Sequence, residues 1–596
     1  MSFTRKRAPL ACNFCRSRKR RCDAQKPSCS NCIELEVQCQ YDDGPSQRID
    51  STGGSREILN RLRAIEALLQ SQSERITALS SENRAPSFSV HDQTSPASQQ
   101  YLVVEDTHQY ARPPQSSALS NLPPLTIPVK HKTSSTFLLT LPPVKSLVGD
   151  YPTDLFFRLE SRCPLPPQLS LDQWPSPIPL DIERDDDLVS VFFSLVHPNH
   201  PILDRQDFER IYEKFVETGP DYNLESILCL VVLALGAVAT APPNPQTFQE
   251  SPPGMHYIQH AMPTLISLSA WSFPSSILLP QALVLASVYF AYIVRPLQSW
   301  RLMHAASTIL QTNRSGVENL DIMSNHPDLG DHVLRLFWSC FLVECDRVAE
   351  LDLPRSGLQE LTDNISLPRC NKLGVEESTY YLAEISIRRL LNRIHNTVYP
   401  RRKGSISQST TTLPAIDDFS IQEVSSMGTI CTELRSQLEL WYSSIPETFR
   451  LGLEVDATDF TNRQSILRIR YFATRHIIYR PFLLSIVMHG SDGAPASMIE
   501  KAVLCIESCR YYIYHTTQVL ARPSQYTWTF ALSSLGAVII LTLASLCRDL
   551  RDFVPDIDEL QTTVINNIRP WAFSSLEAVL SILEDMQKKR RLLSRV

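Results

Sequence analysis

Hydrophobic positions along this chain fall into three regimes. From Asp185 to the C-terminus apolar residues recur at helical spacing, most clearly over 376–398, where Ile387, Leu390, Leu391, Ile394 and Val398 share one face and Arg388, Arg389 and Arg393 lie elsewhere. That pattern predicts a helix of a bundle. Strand-like alternation bounded by Asn-Gly or Asp-Gly turns is not evident in this region. Two segments, 275–294 and 530–547, carry no charge and approach the length of a membrane-spanning helix. Pro280 interrupts the first, while Ser533, Ser534, Gly536, Thr542 and Ser545 dilute the second. Both are therefore expected to be buried bundle helices, with membrane insertion as the rival reading. Asp185, Asp186 and Asp187, just before the apolar run VFFSLV, are expected to favour the positive end of a helix.

The second regime, residues 55–85, is a heptad. Ser55, Leu62, Leu69, Ile76 and Asn83 fall at a, and Ile58, Ile65, Gln72 and Leu79 at d, before Pro86 ends the run. Ile58, Leu62, Ile65, Leu69, Ile76 and Leu79 make an apolar seam, which predicts a short coiled coil and a homodimer. The alternative is a single amphipathic helix that docks on its own chain.

The third regime is polar. Residues 86–135 are dominated by Ser, Pro, Gln and Thr, too poor in apolar groups to offset chain entropy, and are expected to be a disordered linker. A shorter ordered patch is expected at 137–162, followed by a proline-rich stretch to 179. The resulting organisation is a small cysteine-rich domain at 8–44, a linker at 45–54, the dimerisation helix at 55–85, the disordered linker at 86–135, and a helical domain at 136–596. The fold class is mainly α.

Composition narrows the chemistry. With 596 residues the chain exceeds one ordinary domain, and 17 glycines against 42 prolines argue against phosphate loops, barrels and many hairpins. No P-loop, G-x-G-x-x-G, G-x-S-x-G or H-E-x-x-H is found, so an enzyme is not expected. His197 and the stretch from Trp338 to Asp346 are expected in the core. Residues 1–26 carry nine basic side chains against one acid, Asp23, so a net charge of −6 for the whole chain conceals a strongly positive head. A basic head suits double-stranded DNA, and its clusters at 5–7 and 16–21 also suit nuclear import. The bases at 401–403 and 588–591 are expected as solvated loop and tail charges.

The head also holds the most specific pattern. Cys12, Cys15 and Cys22 are repeated seventeen positions on as Cys29, Cys32 and Cys39. A tetrahedral structural zinc takes four thiolates. Six sulfurs satisfy two ions only if two of them bridge, whereas one ion on Cys12, Cys15, Cys29 and Cys32 would leave Cys22 and Cys39 over. Disulfides are disfavoured, since no apolar leader precedes the motif. The other cysteines are expected to be buried thiols. For Cys505 and Cys509, four apart with His515 nearby, a metal or redox site is the rival.

These cysteines, the run CRSRKRRCD and Pro27 resemble the fungal binuclear zinc-cluster transcription factors. The resemblance implies two zinc ions, Cys12 and Cys29 as bridging ligands, and a short helix presented to the DNA major groove. It further implies that Arg18 and Lys19 reach base edges of a CGG-like triplet, with Arg16, Arg20, Arg21 and Lys26 mostly on phosphates. FFSLVHPNHPILDRQDF, SWRLMHAASTIL and LRLFWSCFLVECDRVAELDLPRSGL, between Asp185 and Leu358, resemble the fungal-specific transcription factor domain. Leu353-Pro354-Arg355-Ser356-Gly357 departs from that family's Gly-Arg-Pro. The function expected is a nuclear, DNA-binding transcription regulator that partners the transcription machinery, with no membrane role. The alternative is a zinc-nucleated scaffold or adaptor that reads no base sequence.

Overall fold

The computed structural model describes residues 14–15, 22–23, 25, 27–35 and 37–39 near the N-terminus. It then describes 131–169, 178, 180–272, 276–312, 327–351, 353–362, 365–399, 419–450, 452–453 and 462–594. The chain divides into two compact units, Met1–Asn60 and Arg61–Val596. The expected dimerisation helix, 55–85, and the linker as far as 130 lie outside the described residues.

The first unit contains one short described helix, Ser30–Glu34. Its buried interior is sulfur: Cys15, Cys29 and Cys32, with Phe14, Val37, Cys22 and Cys39 packed around them.

The second unit is helical, and no strand occurs among its described residues. Its helices start where the sequence supplies a cap. Asp181, Asp204, Asn223 and Asn244 each accept a hydrogen bond from a backbone N–H in the first turn that follows. The first of these helices, Ile182–Val191, thus begins ahead of the expected aspartate cluster. Asp181 caps it, and Asp185 lies in its first turn as expected but is also buried, where it accepts from the Tyr257 hydroxyl at 2.6 Å.

The two uncharged segments become the helices Leu278–Tyr292 and Thr527–Leu546, each buried nearly all round. The second is long and apolar enough to cross a membrane, yet 83% of its most apolar window is covered by the body. Leu278–Tyr292 packs on Leu224–Ala239, Pro296–Thr312 and Pro327–Val348. Asn462–His489 and Ala496–Leu520 form a helical hairpin that supports Val375–Val398 and Thr527–Leu546. Close approach depends on Gly236, where any Cβ would overlap the Leu188 carbonyl. Val375–Val398 is the helix expected at 376–398.

Three short helices, Ser135–Leu139, Pro142–Val148 and Leu155–Arg162, correspond to the patch expected at 137–162 and pack on the C-terminal helices. The Ser135 hydroxyl donates to the Leu532 carbonyl at 2.6 Å, and Ser575 N–H donates to Glu160 at 3.1 Å. The last residues assigned to the linker, 131–135, pack on the body. His131, Thr133, Ser134 and Ser135 are buried, because their hydroxyl, imidazole and backbone groups bond to side chains and backbone of the body.

Charge is buried too. Asp346, 4% exposed, receives Arg470 at 2.8 and 2.9 Å and also pairs with Arg388, while Arg470 donates to Glu384 at 2.9 Å. Trp338 lies in the core, as expected, with His197 bonded to the Leu203 carbonyl at 3.0 Å. The Leu353–Gly357 turn is fixed by Glu344, which accepts from the Ser356 N–H at 2.6 Å, and by Gly357 at φ 93°. One expected tail charge is misplaced. Arg590 is 5% exposed and pairs with Asp558, which Arg591 also reaches at 2.7 Å; Lys588 and Lys589 are exposed.

Candidate metal centre and nucleic-acid interface

The cysteine-rich unit is too short to bury a sufficient apolar core. What its described residues bury is a set of metal-binding atoms. Cys15, Cys29 and Cys32 have 0%, 0% and 1% exposure, and their sulfurs all lie within 4.8 Å of one another. Cys15 Sγ and Cys29 Sγ are 3.7 Å apart. A disulfide would bring them to about 2.05 Å, whereas two thiolates on one tetrahedral zinc, each about 2.3 Å from the ion, stand about 3.8 Å apart. The spacing therefore matches an edge of a zinc–thiolate tetrahedron.

Cys29 also belongs to a second convergent group, with Cys22 and the Asp23 carboxylate within the same 4.8 Å limit. It is thus shared by the two groups, each of which draws a sulfur from the first half of the motif. Burial pushes the Cys29 thiol above its usual range, so a thiolate at this position needs a cation beside it.

Local structure orients these sulfurs. The Cys29 carbonyl accepts from the N–H groups of Cys32 and Ile33 at 3.0 and 3.1 Å, closing the first turn that places Cys32 beside Cys29. Cys29 N–H donates to Cys39 Sγ at 3.3 Å, and Asn31 Nδ2 donates to Cys15 Sγ at 3.2 Å. Such N–H to sulfur contacts orient ligands and spread thiolate charge. Asp23 ties the halves together by accepting from Ser30 N–H at 3.2 Å and from the Ser30 hydroxyl. Those bonds, the hydroxyl first, hold the Asp23 carboxyl below its ordinary range. Sequence reasoning missed Asp23 and Asn31. The signal available was an acid directly after Cys22 with a serine seven residues on, at the start of the Ser30–Glu34 helix.

Of the expected ligands, Cys15, Cys22, Cys29, Cys32 and Cys39 are described and come together; Cys12 lies outside the described residues. The expected DNA contacts Arg16, Arg18, Lys19, Arg20, Arg21 and Lys26 lie outside them as well, as do Ile58, Leu62, Ile65, Leu69, Ile76 and Leu79. In the body, Cys505 and Cys509 are fully buried, and Cys505 donates to the His476 carbonyl at 3.5 Å. His515 is instead stacked on Phe472 at 5.5 Å.

Residues 10–48 match the fungal Zn(2)-Cys(6) binuclear cluster domain, and residues 189–443 match the fungal specific transcription factor domain. The second match runs well past Leu358, where the recognisable landmarks of the sequence end. A relative in Neurospora crassa, the transcriptional activator protein acu-15, is 24% identical over 91% of this chain and 58% of its own length, so the chain spans somewhat over half of that protein. The putative transcription factor ecdB of Aspergillus rugulosus is 23% identical over 91% of each chain. The transcription factor FBD3 of Gibberella moniliformis is 60% identical over 42 residues, 7% of this chain and 6% of its own. These domains and relatives belong to transcription factors, not to enzymes. With both domains matched in this order and the sulfurs spaced for a metal–thiolate cluster, the chain carries a fungal Zn(2)-Cys(6) binuclear cluster domain, which binds two zinc ions, followed by a fungal specific transcription factor domain.

Proposed function

We propose that this protein is a zinc-dependent, sequence-specific DNA-binding regulator that acts in the nucleus as a homodimer on paired CGG-like triplets. The observation that carries the reading is the convergence of sulfurs from both halves of the motif on Cys29, with the basic run 16–21 between the second and third cysteines. Zinc supplies the cross-link that lets so short a segment hold a fixed shape. Cys12, Cys15, Cys22, Cys29, Cys32 and Cys39 hold the two ions, Cys12 and Cys29 serving both.

The protein's own residues then divide two tasks. Arg16, Arg20, Arg21 and Lys26 meet phosphates and set register, while Arg18 and Lys19 donate to guanine O6 and N7. One triplet is too short to select a genomic site, so the 55–85 helix joins two clusters, and the connector 45–54 sets their separation.

The test is binding of the zinc-loaded full chain to a duplex with paired CGG triplets and to a scrambled duplex at fixed salt. Preference for the triplets is expected. Lys19→Ala should reduce that preference by about 1 to 3 kcal/mol, whereas Arg21→Ala should weaken both duplexes alike and flatten the salt dependence. Equal affinity of the native chain for both duplexes would favour the scaffold reading instead.

A further inference from the structure

Inside the helical body a cavity of about 60 Å³ opens where the incoming segment 131–135 meets Val375–Val398, Asn462–His489 and Thr527–Leu546. At about 30 Å³ per water, that is room for about two waters or one small polyatomic ion. The lining mixes apolar side chains such as Leu391, Ile469 and Phe530 with several charged ones. Arg388 and Arg470 face it, but Asp346 and Glu384 already meet their charges. Arg480 differs. It is 3% exposed, donates to the Thr133 carbonyl at 2.8 Å, and meets His476 Nδ1 at 3.2 Å. Its Nε has no partner, and no carboxylate of the described residues lies within the 4.0 Å of an ion pair.

No neighbour among the described residues is ion-paired with Arg480. Burial, above all, pushes His131 down to about 4 and lowers His395 and His476, so these rings are neutral at pH 7 and can each donate one hydrogen bond. Glu350, which also lines the cavity, is pushed up to about 7 by burial, so it is only partly ionised at neutral pH; it is bonded to Ser135 N–H and the Ser533 hydroxyl at 2.9 and 3.3 Å and lies beyond ion-pair distance of Arg480. A buried guanidinium without a counter-ion is unfavourable, and an oxyanion of matching size removes that cost through charge-assisted hydrogen bonds.

We propose that this cavity is a binding site for a small oxyanion, such as inorganic phosphate or a short carboxylate, held against Arg480 and in contact with the segment 131–135. This inference is independent of the DNA-reading proposal. Because the segment joins the body to everything N-terminal of it, occupancy bears on how firmly the linker is anchored.

The test is thermal unfolding of the zinc-loaded full chain, without DNA, titrated with inorganic phosphate, sulfate or formate against chloride at equal ionic strength. A saturable rise in melting temperature is expected with at least one oxyanion, together with slower tryptic cleavage after Lys132. Phosphate and sulfate acting alone would point to a tetrahedral anion, and formate acting alone to a carboxylate. Arg480→Met should weaken the response at least ten-fold. Since that variant also loses the bond to Thr133, Gly536→Ala provides a second one: Gly536 lines the cavity, and a Cβ there meets Ser135 Oγ at 3.6 Å, an ordinary contact. It should fold normally and still weaken the response. Chloride acting as well as the oxyanions, or a response unchanged in both variants, would overturn the proposal.

Discussion

The two units of this protein bury different things. In the N-terminal unit the described interior is Cys15, Cys29 and Cys32, organised around a helix of five residues. In the helical body it is a continuous apolar core with Trp338, Trp528 and Trp571 fully enclosed, threaded by the Asp346, Arg388 and Arg470 cluster. The first depends on a few atoms, each indispensable, because the segment is too short to fold by apolar burial alone. The second spreads its stability over many side chains, so single truncations weaken it without abolishing it. Metal geometry and hydrophobic burial thus divide one chain between two kinds of vulnerability.

The sharpest way to break the comparison is to remove the metal. Chelation, or Cys29→Ser, should release both zinc ions and unfold the N-terminal unit, since Cys29 stands in both convergent groups of ligand atoms. Elemental analysis should read zero zinc in Cys29→Ser, while the main thermal transition, that of the body, stays within a few degrees of the native one. A parallel collapse of the body would show that the two units do not fold independently.

The next largest effect is expected in the body. Asp346→Asn leaves the Arg388 and Arg470 guanidinium groups buried with their shared carboxylate gone. Loss of a partner in a buried pair costs about 3 to 5 kcal/mol. Urea unfolding of the body should report that loss while zinc content remains at two per chain. A smaller shift, about 1 to 3 kcal/mol from overpacking, is expected for Gly236→Ala, whose Cβ would overlap the Leu188 backbone. Gly536→Ala, where the nearest atom is a leucine methyl at 3.5 Å, is the near-neutral control.

What the sequence disclosed follows the same division. Metal ligation requires particular residues at particular spacings, so all six candidate ligands could be named, and the five that are described do converge. The helical class of the body was equally legible, since period-3.6 patterning survives even in Val375–Val398, where most side chains are buried. Individual polar roles were not. Asp185 reads as a first-turn acid and is one, but its burial and its partner Tyr257, 72 residues away, could not be read. Arg590 reads as a tail charge until Asp558, on a different helix, is brought beside it. His131 to Ser135 read as linker because their composition is polar, and only the Asn462–His489 and Val375–Val398 helices supply the Arg480 and His395 partners that order them. Composition reports local preference, whereas such pairs are set by tertiary packing.

The smallest expected effect concerns Glu350 and is visible only as a change of slope with pH. Its carboxyl rises from an ordinary 4.5 to about 7 in the folded body through burial. The folded state therefore holds this proton more tightly than the unfolded chain does. The stability contributed by the neutral acid is fully present below pH 4.5 and is lost as pH rises to 7. Buried imidazoles act with the opposite sign: His131, beside Glu350 in the cavity, and His200, elsewhere, are both pushed down to about 4, so their contribution is full above 6.5 and lost on acidification. The other charged or titratable groups lining the cavity are Arg388, Arg470, Arg480 and Tyr512, together with His395 and His476, lowered like His131. These terms overlap in the native protein and mask one another. Glu350→Gln removes the acid and leaves the imidazoles. Measured in buffers free of oxyanions, the melting temperature of the variant relative to native should rise as pH increases from 4.5 to 7 and then level off. A difference that stays constant across that window would show that Glu350 titrates as an ordinary carboxylate and is fully ionised in the cavity at neutral pH.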